Sequence, residues 1–243
     1  MDIPVLVINL DRSKDRWEGL VARAAALDIF PERVPAVDGN AVEPEQRREL
    51  QLRKFQLWHG RRPMGGEYGC YMSHIRALQR VAEADWPYAV ILEDDADFVP
   101  DFVPRIEALT RLAQVPDIVK LYNHRTKGFI AKAQTEAGDT VGCCVHGPMG
   151  SAMGYLISSS AARKLHQALL PFYLPYDIAL ERGWANGLSV MTTKDPLLRP
   201  AKSGSTISPA GYRKTKFPFY MRIPTALFRG LDYLRRTNYA IRS

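Results

Sequence analysis

Residues Ile3–Leu10 read IPVLVINL, a continuous apolar run rich in β-branched residues. Such a run is typical of a strand that is buried on both faces of a parallel sheet. Ser13–Leu27 follows with apolar residues at helical spacing and with Ser13 in the N-cap position. Arg33–Val37 is a second short strand. This strand–helix–strand opening predicts an α/β fold with a mostly parallel central sheet that is flanked by helices.

The apolar patterns that follow extend this arrangement. Further strands are predicted at Tyr88–Leu92, Ile118–Tyr122, Ala152–Ile157 and Leu188–Thr192. Further helices are predicted at Glu43–Leu57, Glu67–Ala84, Asp101–Ala113, Ser159–Leu170 and, as a basic amphipathic helix, Ile223–Arg236. The Gly-rich stretch 124–150 suggests a hairpin with a mobile loop, and Gly204–Gly211 suggests a polar loop. We expect one domain at 1–198 and a basic, aromatic-rich segment at 199–243.

The net charge of +7 is concentrated at the C-terminal end. From Arg199 onward there are ten lysine and arginine residues and one acid, Asp232, whereas the preceding 198 residues carry 23 basic and 25 acidic side chains. A near-neutral globule with a cationic segment indicates an anionic partner. Three cysteines without a CxxC pair fit a reducing compartment. With no signal-peptide pattern and no apolar membrane span, we expect a cytoplasmic protein, alone or peripheral on the inner face of the cytoplasmic membrane.

Four acids follow a buried strand in Tyr88–Asp97, YAVILEDDAD. If the chain stays extended, Glu93, Asp95 and Asp97 share one face and Asp94 points to the other. Like charges this close repel each other, and a bound divalent cation relieves the repulsion. Carboxylates without His or Cys favour Mg²⁺ or Mn²⁺. At the end of a strand such a metal can neutralise a departing diphosphate. The alternative is a solvated turn in which one acid caps the next helix.

Several segments, in a fixed order, resemble glycosyltransferase family 25, which builds lipo-oligosaccharide and lipopolysaccharide chains in bacteria and has relatives that galactosylate collagen. The resemblance runs from about residue 3 to residue 198, with weaker matches at 153–165 and 174–180. The clearest segments are Pro4–Arg16 (PVLVINLDRSKDR), Arg33–Gly39 (RVPAVDG), Gly66–His74 (GEYGCYMSH) and Val90–Asp95 (VILEDD).

The resemblance implies a GT-A-like nucleotide-binding fold and an inverting transfer from a UDP-sugar donor, often UDP-galactose, to a glycolipid or oligosaccharide acceptor. It also implies that Glu-Asp-Asp is the counterpart of the Asp-x-Asp metal motif. This chain holds a literal Asp-x-Asp as well, Asp95-Ala96-Asp97. The pair that would hold Mn²⁺ or Mg²⁺, Glu93 with Asp95 or Asp95 with Asp97, is therefore left open.

Polar residues at strand ends and near a helix start are the candidates for donor binding. Asn9 or Asp11 would bind the base or ribose, and Arg16 a phosphate. Glycines at the helix start permit close backbone approach to a ligand, and its N-terminus favours a phosphate or sugar oxygen. Capping, turn formation and core packing are the structural alternatives. The full set is Asn9, Asp11, Arg12, Arg16, Asp38, Glu67, Ser73, His74 and Asp94.

An inverting transfer needs a base that accepts the proton of the acceptor hydroxyl. Asp177 in LPYDIAL is the candidate, because partial burial among apolar neighbours would raise its pKa. Glu181, one helical turn further, is the substitute. Asp177 is also suited to be a helix N-cap.

The basic segment interleaves arginine and lysine with aromatic residues from Tyr212 to Arg242. That composition suits an anionic membrane surface, and single-stranded nucleic acid would select a similar one. The resemblance favours a membrane, so no nucleic-acid partner is expected. A packed terminal helix with a solvated basic side is the structural alternative. Two other functions share the acid cluster: a metal-dependent nuclease or phosphohydrolase, and a non-catalytic glycan- or lipid-binding relative.

Overall fold

The computed structural model describes residues 2–84, 86–201 and 214–243. Its strands are β1 (Val5–Asn9), β2 (Glu32–Pro35), β3 (Tyr88–Glu93), β4 (Ala96–Phe98), β5 (Ile118–Lys120), β6 (Lys127–Gln134), β7 (Thr140–His146), β8 (Gly154–Ser158), β9 (Val190–Thr193) and β10 (Leu198–Pro200). Its helices are α1 (Lys14–Ala25), α2 (Leu52–His59), α3 (Gly65–Glu83), α4 (Phe102–Thr110), α5 (Ser159–Ala168), α6 (Tyr176–Leu180), α7 (Gly183–Asn186) and α8 (Ile223–Arg242), with 3₁₀ turns at Pro44–Gln46 and Phe219–Arg222.

Eight strands form the central sheet in the order β2-β1-β3-β8-β5-β9-β7-β6, and β4 pairs with β10 in a separate ribbon. Within the described residues, β1, β2 and β3 are parallel, and β5 is parallel to β9. Two strands, β8 and β7, run antiparallel to their neighbours. Six of the eight strands therefore point the same way. The predicted α/β class, a mostly parallel sheet flanked by helices, is confirmed.

Both faces of the sheet are buried, which explains the unbroken apolar runs of the central strands. In β1, Leu6 and Ile8 belong to the cluster that packs with α3 and α5, whereas Val5 and Val7 belong to the cluster that packs with α1 and α4. Strand β3 divides in the same way. Because each strand alternates its side chains between two apolar layers, apolar residues are favoured at consecutive positions and not only at every second one.

One predicted helix is wrong. Glu43–Leu57 is not continuous: a 3₁₀ turn is followed by an irregular connection, with a turn at residues 48–49, before α2. The reason is tertiary, because the connection bonds to a distant loop. The Phe172 N–H donates to the Glu49 carbonyl at 2.7 Å, and the Gln51 N–H donates to the Phe172 carbonyl at 2.8 Å. These bonds replace the local helical ones.

The other differences are smaller. The stretch 124–150 contains the regular hairpin β6–β7, and the last helix extends to Arg242 rather than Arg236. Ser13 precedes α1, but its side chain makes no capping hydrogen bond. The polar loop predicted at Gly204–Gly211 lies outside the described residues. Helix α8 packs against β7 and α2. None of the described helices is long and apolar enough to cross a bilayer.

Candidate active site

A cavity of about 1060 Å³ lies beside the carboxyl end of β3. It is enclosed by the starts of α3 and α6, the loops after β3 and β5, the loop before β8, and the inner side of α8. Two residues of the loop before β8, Gly150 and Ser151, have left-handed backbones with φ of 73° and 68°. The charged or ionisable side chains in its wall are His59, Glu67, Cys70, Glu93, Asp95, His124, Arg125, Tyr176, Asp177, Arg229, Asp232, Tyr233 and Arg236.

Asp95 has a buried carboxylate oxygen, Oδ1, without a hydrogen-bond partner among the described residues. Burial, followed by the charges of Glu93 and Asp94, raises the pKa of Asp95 to about 7, and Arg16 opposes this. A buried acceptor without a donor is costly, and so is a second carboxylate close by. A divalent cation between Glu93 and Asp95 would satisfy the oxygen and offset both charges. The residues present thus fit the predicted metal.

A chain of hydrogen bonds that starts at His74 of α3 holds the Glu93 carboxylate in place. Its Oε1 lies 3.3 Å from His74 Nε2, His74 Nδ1 lies 3.0 Å from the Tyr155 hydroxyl, and that hydroxyl lies 2.8 Å from the Tyr176 hydroxyl. His74 is fully buried and stacks on Tyr176 at 4.1 Å. Burial raises the pKa of Glu93, but His74 and the Cys70 thiol outweigh it and hold that pKa below the ordinary value. The chain of hydrogen bonds joins Glu93 to the first residue of α6, next to Asp177.

The surroundings of Glu93 are not all oxygen. Cys70 and His74 lie one turn apart on α3, and each offers an atom within 4.8 Å of the others and of a Glu93 oxygen. Nitrogen and sulfur atoms therefore also lie near this position, which the oxygen-only expectation did not include. Both ring nitrogens of His74 are already hydrogen-bonded, so His74 is placed to orient Glu93 rather than to bind the ion itself. The Cys70 thiol donates to Glu93 at 3.5 Å, and burial raises its pKa.

Asp97 lies away from this cavity. Its Oδ1 is 3.0 Å from Arg23 Nε, and its backbone pairs with Arg199 in the β4–β10 ribbon. The expectation that Glu93, Asp95 and Asp97 share one face does not hold, because residues 94–95 form a turn between β3 and β4. Of the two pairs left open by the sequence, only Glu93 with Asp95 lines the cavity.

The donor-binding candidates at the end of β1 form an ionic network instead. Asn9 is buried and donates to Asp94 Oδ2 at 2.8 Å, and Arg16 is 3.0 Å from Asp94 Oδ1. Arg33 donates to Asn9 Oδ1 at 2.9 Å and to Asp11 at 2.6 Å. The network joins the carboxyl ends of β1 and β3 through Arg33, which reaches across from β2. Asn9 thus has a structural task, whereas the Asp11 side chain is 82% exposed.

Arg12 and Asp38 pair with each other at the surface. Asp38 Oδ1 also accepts from the Asn40 N–H at 3.2 Å. This bond stabilises a turn, which is the structural alternative to donor binding for Asp38. Neither residue lines the cavity within the described chain.

The start of α3 serves packing more than ligand approach. A Cβ at Gly69 or Gly39 would overlap the backbone of the other segment, so these glycines let α3 touch the loop after β2. Ser73 seals the same contact: its hydroxyl accepts from the Val37 N–H at 2.8 Å and donates to the Gly69 carbonyl at 2.6 Å. Gly69 therefore permits close helix packing, whereas the glycines at this helix start were expected to permit close approach of a ligand.

Glu67 lies in the cavity wall with both oxygens engaged. The buried Arg61 guanidinium holds it in a two-point pair, with Nη1 at 2.6 Å from Oε2. The Met64 N–H donates to the same oxygen at 3.0 Å. Glu67 therefore anchors the first turn of α3 at the cavity edge.

Asp177 faces the cavity from the first turn of α6. Its Oδ1 accepts from the Ile178 N–H at 2.9 Å. Burial raises the pKa of Asp177; Lys120 lowers it and Glu181 raises it. Lys120 is fully buried, and its Nζ donates to the Gly150 carbonyl at 3.0 Å. A carboxylate with a raised pKa, open to a cavity, matches the requirements of a general base.

Glu181 holds a different place. Its side chain is 0% exposed, and Oε2 accepts from Arg236 at 2.7 Å and from the Met149 N–H at 2.9 Å. A second pair, Arg182 with Asp232 at 3.0 Å, lies beside it. Together these pairs fasten α8 to the cavity. This geometry makes Glu181 an anchor and leaves the candidate base role to Asp177.

A family model described as glycosyltransferase family 25 (LPS biosynthesis protein) matches residues 2–180, well over half of the chain. The chain belongs to glycosyltransferase family 25. Among its relatives, a glycosyltransferase 25 family member of Drosophila pseudoobscura pseudoobscura is 28% identical over 167 residues. That alignment covers 66% of this chain and 26% of the relative.

Two further relatives are procollagen galactosyltransferases. Procollagen galactosyltransferase 1-B of Xenopus laevis is 27% identical over 170 residues, which cover 68% of this chain and 28% of the relative. Procollagen galactosyltransferase 1 of Danio rerio is 26% identical over 200 residues, which cover 79% and 32%. This family 25 chain thus aligns with only about a quarter to a third of each of these relatives.

Some cavity residues of this family 25 chain were not predicted from the sequence. His124 and Arg125 follow β5, whose carboxyl end lies at the same edge as that of β3. The strand-end rule, applied to β5 as it was to β3, would have selected them. Arg229, Tyr233 and Arg236 come from α8, beyond the matched residues. Sequence spacing gives no signal that a terminal helix closes the cavity.

Proposed function

We propose that this chain is an inverting hexosyltransferase that moves a sugar, with galactose as the first candidate, from a UDP-sugar to a lipopolysaccharide- or lipo-oligosaccharide-type acceptor with the help of a divalent metal. One observation carries the proposal. In a family 25 chain, Glu93, the Asp95 oxygen that has no hydrogen-bond partner among the described residues, and the Asp177 carboxylate line the same cavity.

Glu93 and Asp95 are the residues that would hold Mn²⁺ or Mg²⁺, and the bound cation would neutralise the diphosphate as it leaves. His74 orients Glu93 through the 3.3 Å hydrogen bond. Asp177 accepts the proton of the acceptor hydroxyl while the hydroxyl oxygen attacks the anomeric carbon. A glycosidic C–O bond forms, the C–O bond to the β-phosphate breaks, and UDP departs with the bonding electrons.

The acceptor class rests on charge and on family membership. Arg125 and Arg229 line the cavity on the side of the loop after β5 and of α8. Guanidinium groups bind phosphates and carboxylates in two-point contacts, so these residues suit an acceptor with phosphate or acidic sugar groups. Procollagen, which appears in the names of two relatives, is the acceptor of those proteins and is not part of this proposal. We propose that the reaction takes place in the cytoplasm, at the inner face of the cytoplasmic membrane.

The test is transfer and donor hydrolysis with a panel of UDP-sugars, with Mn²⁺, Mg²⁺ or chelator. Glu93→Gln, Asp95→Asn and Asp177→Asn should each lower turnover by roughly a hundredfold or more. Asp97→Asn, in the same acidic segment but paired with Arg23, is the matched control and should keep most activity. Equal losses in Asp97→Asn and Asp95→Asn would contradict the assignment.

The same preparations separate the competing functions. Phosphodiester cleavage that depends on metal and is abolished by Asp95→Asn, with no sugar transfer, would establish a nuclease or phosphohydrolase. Glycan or lipid binding that survives all three variants, with no turnover of any donor, would establish a non-catalytic relative.

A further inference from the structure

Helix α8 carries a stripe of exposed aliphatic side chains. It consists of Ile223, Leu227, Leu231, Leu234 and Ile241, each between 49% and 66% exposed. At about 100° per residue they fall within about 80° of one another on the helix. The 3₁₀ turn before the helix adds Phe219 and Tyr220, which are 82% and 61% exposed. A soluble surface rarely gathers so many large apolar groups on one face, so this stripe, including the two aromatic residues, indicates a binding surface.

The stripe lies opposite the face with which α8 packs on the protein. The buried residues of the helix are Thr225, Arg236 and Ala240, about half a turn away from the stripe. Arg236 and Asp232 are fixed by their ion pairs with Glu181 and Arg182. The helix is therefore docked through one side, and its apolar side faces outward.

Cationic side chains lie beside the stripe. Arg235 and Arg242 are exposed and border it along one side. Lys214 and Lys216, ahead of the helix, are exposed as well. The single acid of residues 214–243, Asp232, is already paired. An apolar stripe with arginine along one edge, lysines ahead of it and the exposed Tyr220 at its start is complementary to an anionic lipid surface.

We propose that α8 lies in the surface of an anionic membrane, with the stripe inserted at the boundary of headgroups and acyl chains and with Arg235 and Arg242 on lipid phosphates. The inner side of the same helix lines the cavity through Phe228, Arg229 and Tyr233. Docking therefore sets the cavity at the membrane surface. It follows, on the basis of the proposed function, that the acceptor is lipid-linked and enters along α8.

Charge argues against a second copy of this chain as the occupant. Two stripes packed face to face would leave Arg235 and Arg242 of both copies without an acidic partner from the opposing helix, because Asp232 is already paired. Anionic lipid supplies the missing charge.

The experiment is co-sedimentation with vesicles of phosphatidylcholine alone or with added phosphatidylglycerol. The full chain should bind the anionic vesicles, and more weakly as salt rises. Leu227→Asp combined with Leu231→Asp should weaken binding roughly tenfold or more, since both side chains leave the acyl boundary. Arg235→Gln with Arg242→Gln should remove the preference for anionic vesicles. Phe30→Asp, which removes a single apolar side chain that is 86% exposed and lies outside α8, should bind as the unmodified chain does.

Three results would overturn the inference: no binding of the unmodified chain to anionic vesicles, a dimer in solution that the leucine variant dissociates, or single-stranded DNA binding that displaces vesicles and survives the leucine variant. Hydrolysis of a soluble UDP-sugar is read in parallel and should be unchanged in the leucine variant, because neither leucine lines the cavity. Vesicle binding without donor hydrolysis would refute the proposed function and leave the docking inference standing.

Discussion

The substitution Glu181→Gln should strongly destabilise the protein, because it leaves a buried guanidinium without its counter-ion. The Glu181 side chain is 0% exposed, the Arg236 side chain is 7% exposed, and the two are 2.7 Å apart. Gln keeps the size of the side chain and removes only the charge. Breaking one side of a buried pair costs about 3–5 kcal/mol. For a chain of this length that corresponds to a loss of roughly 6–20 °C in melting temperature.

The assay is urea unfolding followed by circular dichroism, with calorimetry for the melting temperature. Glu32→Gln is the control, because its pair with Arg80 is about 40% exposed on both sides and should contribute at most about 1 kcal/mol. Replacing both partners, Glu181→Leu with Arg236→Met, should recover part of the loss, because the guanidinium is removed together with its counter-ion and only the Met149 N–H loses its acceptor. A loss for Glu181→Gln no larger than that for Glu32→Gln would refute the anchoring role.

Four further outcomes test the site and the anchoring of α8 beside it. His74→Gln should raise the metal concentration needed for half-maximal thermal stabilisation by roughly 10–100-fold, since Glu93 loses its orienting hydrogen bond; an unchanged metal titration would contradict this. Because burial raises the pKa of Asp177, the kcat/KM profile should lose activity, as pH falls, at a pH above that of an exposed aspartate, about 4. Lys120→Met should move that acid limb to still higher pH, since Lys120 lowers the Asp177 pKa, and a limb that stays in place would exclude Asp177 as the base. Gly147→Ala should lower stability and turnover together, because a Cβ there overlaps the guanidinium that Glu181 holds; a fully active and stable variant would show that the helix can shift without cost.

The central strands could be predicted from apolar runs because burial on both faces demands them. Val5–Asn9 and Tyr88–Glu93 lie within one residue or two of the predicted strands. The segment 43–57 failed because its charged residues have helical propensity, while two long-range backbone bonds to Phe172 determine its path. Tertiary hydrogen bonds here outweigh the helical propensity of the segment, and a rule based on residue spacing cannot detect such bonds.

The acidic segment shows the same division. Its composition and its place at a strand end pointed to Glu93 and Asp95, and both line the cavity. The period-two argument failed at Asp97, because the chain turns at residues 94–95 and Asp97 meets Arg23. Similarly, His74 was selected by its segment, but its role as a partner of Glu93 depends on a contact between α3 and the end of β3.

By itself, the sequence determined the α/β class, the family, the acid cluster at the end of β3 and the cationic character of the last segment. These are local properties, since burial periodicity, motif order and charge can all be counted along the chain. The tertiary structure alone decided which acids meet, that Glu181 anchors Arg236, and that α8 closes the cavity with one side while it exposes an aliphatic stripe on the other. Those features depend on distances between residues far apart in the chain, and such distances are set by packing rather than by local order.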